Sequence, residues 1–175
     1  MKSHSKNDAE YQKDQQQNKR HFIRRGIMFV IPFALAYLCS YFLVQVMLIQ
    51  GDSMLPAYHD KQFVLLNKCG KVFARGDVIA FSCEALQCNL VKRIVGEPGD
   101  MIVLENGFLY LNGEVFLKLN MDEQGQENSV GIRKEFIVPE NSYYVIGDNA
   151  SQSVDSRDPS VGFVSRDQII GKIWK

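Results

Sequence analysis

Histidine is scarce in this chain, three in 175 residues, and none stands where it would serve a nucleophile. His59 lies six positions after Ser53, but no aspartate-supported pattern accompanies it, and a turn histidine is the simpler account. Cysteine is scarce too, with four residues. Cys83 and Cys88 flank Glu84-Ala85-Leu86-Gln87, yet two cysteines with no histidine nearby do not make a zinc site. Asp148, Asn149, Asp155 and Asp158 lack the EF-hand spacing and its closing glutamate, which argues against calcium. There is no Walker loop and no dinucleotide fingerprint, so neither metal nor cofactor is expected. Positive charge is missing where a nucleic-acid surface would need it. The first fifty residues carry 7 Lys or Arg against 3 Asp or Glu, and residues 51–175 carry 13 against 17. A mildly acidic globular part is a poor partner for phosphate backbones, and no nucleic acid is expected.

Charge of either sign is absent from residues 26–49, GIMFVIPFALAYLCSYFLVQVMLI. As a helix, such a run crosses a hydrocarbon core of ~30 Å. Pro32 is tolerable there, because membrane helices accommodate proline. Lys19, Arg20, Arg24 and Arg25 stand directly before it. The positive-inside rule then assigns the N-terminus to the cytoplasm and the rest to the far side. A cleaved secretory signal is the competing account. Against it, the run exceeds the ~7–15 residues of an ordinary signal core, and no small-x-small site closes it. Three regions are therefore expected. Residues 1–25 form a polar, disordered cytoplasmic tail. Residues 26–49 form a transmembrane anchor, and residues 50–175 an external β domain.

Past residue 50 the pattern changes to short β-branched and aromatic runs bounded by turn residues. Strands are expected at residues 63–66, 78–81, 90–95, 101–105, 108–111, 135–138, 143–146 and 169–174. Asn106-Gly107 and Asn112-Gly113 favour the positive φ angles of type I′ hairpin turns. Two such turns in succession make a meander. Residues 118–134 are polar and read as an exposed excursion. No repeat and no long linker interrupts the domain. The fold class is mainly β, a single antiparallel β domain.

Ser53, in Gly51-Asp52-Ser53-Met54-Leu55-Pro56, stands just behind the apolar run. A serine becomes a nucleophile only when something takes its proton. Lys92 is the candidate. In Leu90-Val91-Lys92-Arg93-Ile94-Val95, period-2 alternation puts Lys92 on the face of Leu90 and Ile94. An apolar face disfavours the charged amine and brings it down from the ~10.4 of free lysine. Arg93 points to the other face, and a guanidinium cannot serve as the base. Taken singly, Lys92 is an ordinary snorkelling strand lysine and Ser53 an ordinary turn serine.

Four blocks in order change that balance. They are Gly51 to Pro56; Phe63-Val64-Leu65-Leu66-Asn67-Lys68 followed by Arg75-Gly76-Asp77-Val78-Ile79; Val91-Lys92-Arg93-Ile94-Val95-Gly96-Glu97-Pro98-Gly99-Asp100; and Gly147-Asp148-Asn149 continuing through Ser153, Asp155, Ser156 and Arg157 to Gly162. Together they resemble a bacterial type I signal (leader) peptidase of the single-span form. The resemblance implies a coiled-barrel catalytic domain behind one N-terminal transmembrane helix. It implies Ser53 as nucleophile, Lys92 as general base, and Ser153 as the hydroxyl that orients the lysine amine. Asp155 and Arg157 match a pair that holds the loops of the site together. The backbone N–H of Ser53 would bind the oxyanion. In some members a serine hydroxyl two positions earlier adds a second donor, and here that position is Gly51. Ala57 departs from the threonine usual after the proline. Ile49 and Val91 match positions lining shallow pockets for small side chains. The implied partners are signal-peptide-bearing preproteins and membrane lipid.

Other readings remain open at this stage. The Cys-x₄-Cys insertion and the departures at Gly51 and Ala57 suit a dedicated pilin-processing relative from a conjugation system. The self-cleaving SOS repressors share Ser/Lys chemistry but are soluble. A catalytically idle membrane-anchored assembly or binding module is the alternative of another class, and retention of both Ser53 and Lys92 argues against it. On the external side, a Cys83–Cys88 disulfide is expected.

Overall fold

A computed structural model describes residues 25–35, 37, 43–70, 72–119 and 133–174. The chain divides into two units, Met1–Leu43 and Val44–Lys175. In the first, residues 25–35 are helical and exposed. Among the described residues no helix is long and apolar enough to cross a membrane. Residues 1–24, 36 and 38–42, which carry much of the expected tail and anchor, lie outside the described set. The expected anchor also ends too late. Val44–Leu48 is a β-strand, β1. It pairs along its whole length with β2, Phe63–Asn67. Both faces of β1 carry apolar residues, so it read as a continuation of the preceding run. Pairing resolves it. Met47 and Ile49 pack into the core, while Val46 and Leu48 stay exposed.

The second unit is built from antiparallel strands. After β2 come β3 (Val78–Cys83), β4 (Cys88–Gly96), β5 (Met101–Glu105), β6 (Phe108–Leu111), β7 (Glu114–Lys118) and β8 (Lys134–Ile137). They are followed by β9 (Ser142–Ile146), β10 (Val164–Ser165) and β11 (Ile169–Ile173). A seven-stranded sheet runs β1-β2-β11-β3-β4-β9-β10, and a four-stranded sheet runs β7-β6-β5-β8. The C-terminal strand β11 is thus inserted between β2 and β3. At its bulge, Gly171 meets the Asn67 carbonyl so closely that an added Cβ would lie 2.5 Å from the oxygen.

The large sheet is covered on both faces around Val78–Phe81, which explains why β3 is apolar along that stretch. Val78 and Ala80 of β3 join Ile49, Met54, Val64, Leu66 and Ile173 in one cluster. Ile79 and Phe81 join Ile94, Tyr143, Val145 and Val164 in another. A third cluster, including Val95, Ile102, Leu109, Val138 and Tyr144, packs β5, β6 and the region around β8 against β4 and β9. Both Asn-Gly turns form as expected, with positive φ at Asn106, Gly107, Asn112 and Gly113. The second turn delivers β7, whose residues were not assigned to a strand from sequence, because all but Leu117 of its five residues are exposed and no clean alternation marks it. Of the expected excursion, residues 120–132 lie outside the described set.

The expected Cys83–Cys88 disulfide is corrected. Both cysteines are free thiols. They are direct partners across the β3–β4 ladder. Such partners hold Cβ atoms ~4.5–5.5 Å apart, whereas a disulfide needs ~3.5–4.5 Å. Cys83 Sγ is instead buried and donates to the Ser160 carbonyl at 3.5 Å, while Cys88 is exposed. In protein isolated without reductant, Cys88 should react with a maleimide in the native state and Cys83 only after unfolding. A Cys83–Cys88 linkage in non-reduced peptide mass spectra would contradict this.

Candidate active site

The loop between β1 and β2 presents Ser53. Met54, 1% exposed, plugs into the core beneath it. The Leu55 N–H donates to the Asp52 carbonyl at 3.2 Å and the Tyr58 N–H to the Met54 carbonyl at 2.9 Å, closing a tight turn. The Leu55–Pro56 peptide is cis. Gly51 takes φ +83°, and its N–H donates to Asp60 Oδ1 at 2.8 Å. His59 is exposed on the far side of the turn.

Lys92 comes from β4 and is 3% exposed. It faces Ile79 across the ladder, on the side of Leu90 and Ile94, as alternation requires. Its Nζ donates to Ser53 Oγ at 2.6 Å. Burial pushes the amine below the ordinary lysine range. Asp155 pulls the other way, but Arg157 opposes it, so desolvation prevails. A neutral amine in this position has a lone pair for the serine proton, the arrangement that nucleophilic catalysis needs.

Asp155 is fully buried. Arg157 clasps it with Nε to Oδ1 and Nη2 to Oδ2, both at 2.8 Å. Asp155 Oδ2 also accepts the Gly147 N–H at 3.0 Å. The pair therefore positions the turn 147–149 as well as itself. Ser153 Oγ is buried but has no hydrogen-bond partner among the described residues. The bond to the lysine amine that the resemblance implies is not made in this geometry, although the hydroxyl lies beside the site. An added Cβ at Gly147 would stand 2.2 Å from Ser153 Oγ and 2.5 Å from the Ser53 carbonyl. Ile49 is buried and Val91 half-buried, and both pack in the cluster that holds Met54.

Two features of the site were not assigned from sequence. Arg93 forms a two-pronged bond with Asp148, Nε to Oδ1 at 2.7 Å and Nη2 to Oδ2 at 2.6 Å. Its Nη1 also donates to the Gly76 carbonyl at 2.8 Å. Asn149 reaches back to the Ser53 turn, its backbone N–H donating to the Ser53 carbonyl at 3.0 Å. An arginine one step from the lysine and an acidic turn later in the chain were the available signals for the first. Nothing in local sequence signals the second. The carboxylates weighed for calcium are committed elsewhere: Asp148 to Arg93, Asp155 to Arg157, and Asp158 to Ser160.

A serine hydroxyl facing a desolvated lysine amine on an antiparallel β scaffold defines a serine peptidase of the Ser/Lys kind. The chain belongs to the family described as signal peptidase, peptidase S26, whose profile matches residues 20–174. It is 32% identical over 160 residues to signal peptidase I T of Bacillus subtilis, covering 86% of this chain and 82% of that one. It is 38% identical over 133 residues to signal peptidase I U of the same organism, covering 71% and 70%. Among solved structures it resembles a signal peptidase I from Enterococcus faecalis, with 27% identity, a TM-score of 0.45, and coverage of 59% and 97%.

Gly147→Ala tests the tightness of this packing. The methyl group cannot fit without moving Ser153 or the Ser53 backbone. A displacement near 1 Å can cost ~10²-fold in rate, so at least that loss is expected in kcat. Near-normal turnover would show that the turn can yield.

Proposed function

We propose that the chain is a membrane-anchored endopeptidase that removes signal peptides from exported preproteins after small residues, with Ser53 and Lys92 as its catalytic pair. The observation that carries this reading is the 2.6 Å contact between Ser53 Oγ and the buried Lys92 amine. Ser53 Oγ attacks the scissile carbonyl while Lys92 Nζ takes its proton. The tetrahedral oxyanion is met by the Ser53 N–H. Lys92 returns the proton to the leaving amine as the acyl-enzyme forms. A water molecule, activated by the same amine, then hydrolyses the ester. Asp155 and Arg157 support the turn beside the pair, and Ser153 contributes a hydroxyl next to it. The substrate lies extended, pairing its backbone with a strand edge. Ile49 and Val91 shape its small-residue pockets. Neither metal nor cofactor enters the chemistry.

Anchoring by residues 26–43, with the N-terminus cytoplasmic and the catalytic unit outside, is supported by the charge-free run and the basic residues before it. An apolar strip offers further support for lipid contact. Val46 opposes Leu65 and Leu48 opposes Phe63 across β1 and β2, and the Trp174 N–H bonds to the Leu65 carbonyl. Phe63 is 72% and Trp174 62% exposed. Such a patch on a secreted surface suits the acyl boundary better than water.

Ser53→Ala and Lys92→Met should each lower preprotein cleavage by at least about a thousandfold. Substantial processing by either variant would end the proposal. The wild-type rate should rise with pH through the folded pKa of Lys92, below the ~10.4 of a free lysine. The same depression sets a stability trend. Between the folded value and ~10.4 the unfolded chain binds more protons, so stability rises with pH across that window and carries a constant cost below it. Lys92→Met removes that cost, so its Tm at neutral pH should exceed that of the wild type. An equal or lower Tm would mean that burying the amine carries no net cost.

Protease added outside intact spheroplasts should digest residues 51–175 and spare an N-terminal tag. The reverse pattern would put Ser53 on the wrong side for this role.

A further inference from the structure

We infer that Asn149 is a positioning residue for the oxyanion hole, holding the Asp52–Ser53 peptide so that the Ser53 N–H aims at the reacting carbonyl oxygen. The inference rests on Ser53 as the nucleophile. Asn149 Nδ2 donates to the Asp52 carbonyl at 3.2 Å. The amide can hold only one way round. The Asp52 carbonyl can only accept, so it selects Nδ2; Oδ1 then accepts from Ser151 Oγ at 2.9 Å, and Nδ2 makes a longer contact to Gln152 Oε1 at 3.5 Å. The Asp52 carbonyl and the Ser53 N–H belong to one planar trans peptide and point in opposite directions. A bond that fixes the oxygen therefore fixes the direction of the N–H.

The backbone of Asn149 reinforces this. Its N–H donates to the Ser53 carbonyl, so consecutive carbonyls on either side of the nucleophile are held by one residue. Among the described residues the Ser53 N–H makes no backbone hydrogen bond, unlike those of Leu55 and Tyr58 in the same turn. The nearby Gly51 N–H is committed to Asp60 and does not share the load. Orientation of one peptide thus governs how well the developing negative charge is met, and donors aimed in advance are worth most in a site shielded from water.

The test uses the full chain in detergent micelles. Asn149→Asp keeps the size and the acceptor for Ser151 but replaces the donor with an oxygen facing the Asp52 carbonyl. Asn149→Ala removes the side-chain bonds entirely. Three quantities are read: kcat and KM on a preprotein, the pH–rate profile, and inhibition by a substrate-like peptide boronate, whose tetrahedral adduct on Ser53 places an oxygen in the hole. Both variants should lower kcat about tenfold to a hundredfold, short of the ~10²–10³ seen when a donor is deleted outright. KM and the alkaline limb should stay in place, and boronate affinity should fall in step with kcat. An unchanged kcat overturns the inference. So does a loss that appears in KM, or one that follows a displaced pH limb, since the latter would act through Lys92. If those two variants do not fold, Asn149→Gln decides, because it keeps the amide and moves its donor one methylene away from the Asp52 carbonyl. A several-fold fall in kcat with KM unchanged supports the assignment, and an unaltered kcat sinks it. Activity retained in Ser53→Ala would remove the underlying reading. An inert Ser53→Ala beside fully active Asn149 variants would remove only this inference.

Discussion

The site depends on keeping one amine out of water. Lys92 lies on a sheet whose faces are both covered, so its charge has no cheap solvation, and the neutral form is favoured. A bare buried carboxylate nearby would reverse that preference. Asp155 is such a carboxylate, fully buried, but it comes with Arg157 clamped to it. The pair is close to electrically balanced from the lysine's viewpoint. An ion pair of this kind adds little net stability in a core, and it costs dearly if one partner is lost. Its value here lies in placing hydrogen bonds while Arg157 offsets the pull of Asp155 on the Lys92 charge.

The turn 147–149 ties the parts together. Asp155 holds Gly147, Arg93 holds Asp148, and Asn149 holds the Ser53 turn. Arg93 sits next to Lys92 on the same strand, yet alternation sends the two side chains to opposite faces. One has its charge disfavoured by burial and is aimed at the serine, and the other pairs with Asp148 and anchors the turn. The large sheet sets that division. β4 is paired with β3 along one edge and β9 along the other. A slip of one residue would exchange the two roles.

The legible parts of the chain were those with a clear local period. Eight strands were foreseen in place, and both Asn-Gly turns took the conformations their residues favour. Lys92 was legible for the same reason, since period 2 alone assigns it to the face of Leu90 and Ile94. β1 was not, because Val44–Leu48 is apolar on both faces and follows an apolar run, so nothing local marks where helix gives way to strand. β7 and β10 were missed through exposure and shortness. The cysteine pair misled in a different way. Spacing and ladder partnership bring Cys83 and Cys88 opposite each other, but both thiols are free, and Cys83 Sγ is turned to the Ser160 carbonyl. The Arg93–Asp148 and Asn149–Asp52 bonds span more than fifty residues each, and such long-range bonds have no local signature.

The position of β11 has a consequence for the order in which the molecule comes into being. β1 and β2 carry the serine turn, β3 and β4 carry the lysine, and the strand that joins these two hairpins edge to edge follows both of them in the chain. The clamp at 147–149 is also made late. Until β11 is in place, no strand lies between the hairpin that carries the serine and the one that carries the lysine. A copy cut before β11 would lose the strand that lies between the two hairpins, and with it the sheet that sets Ser53 beside Lys92.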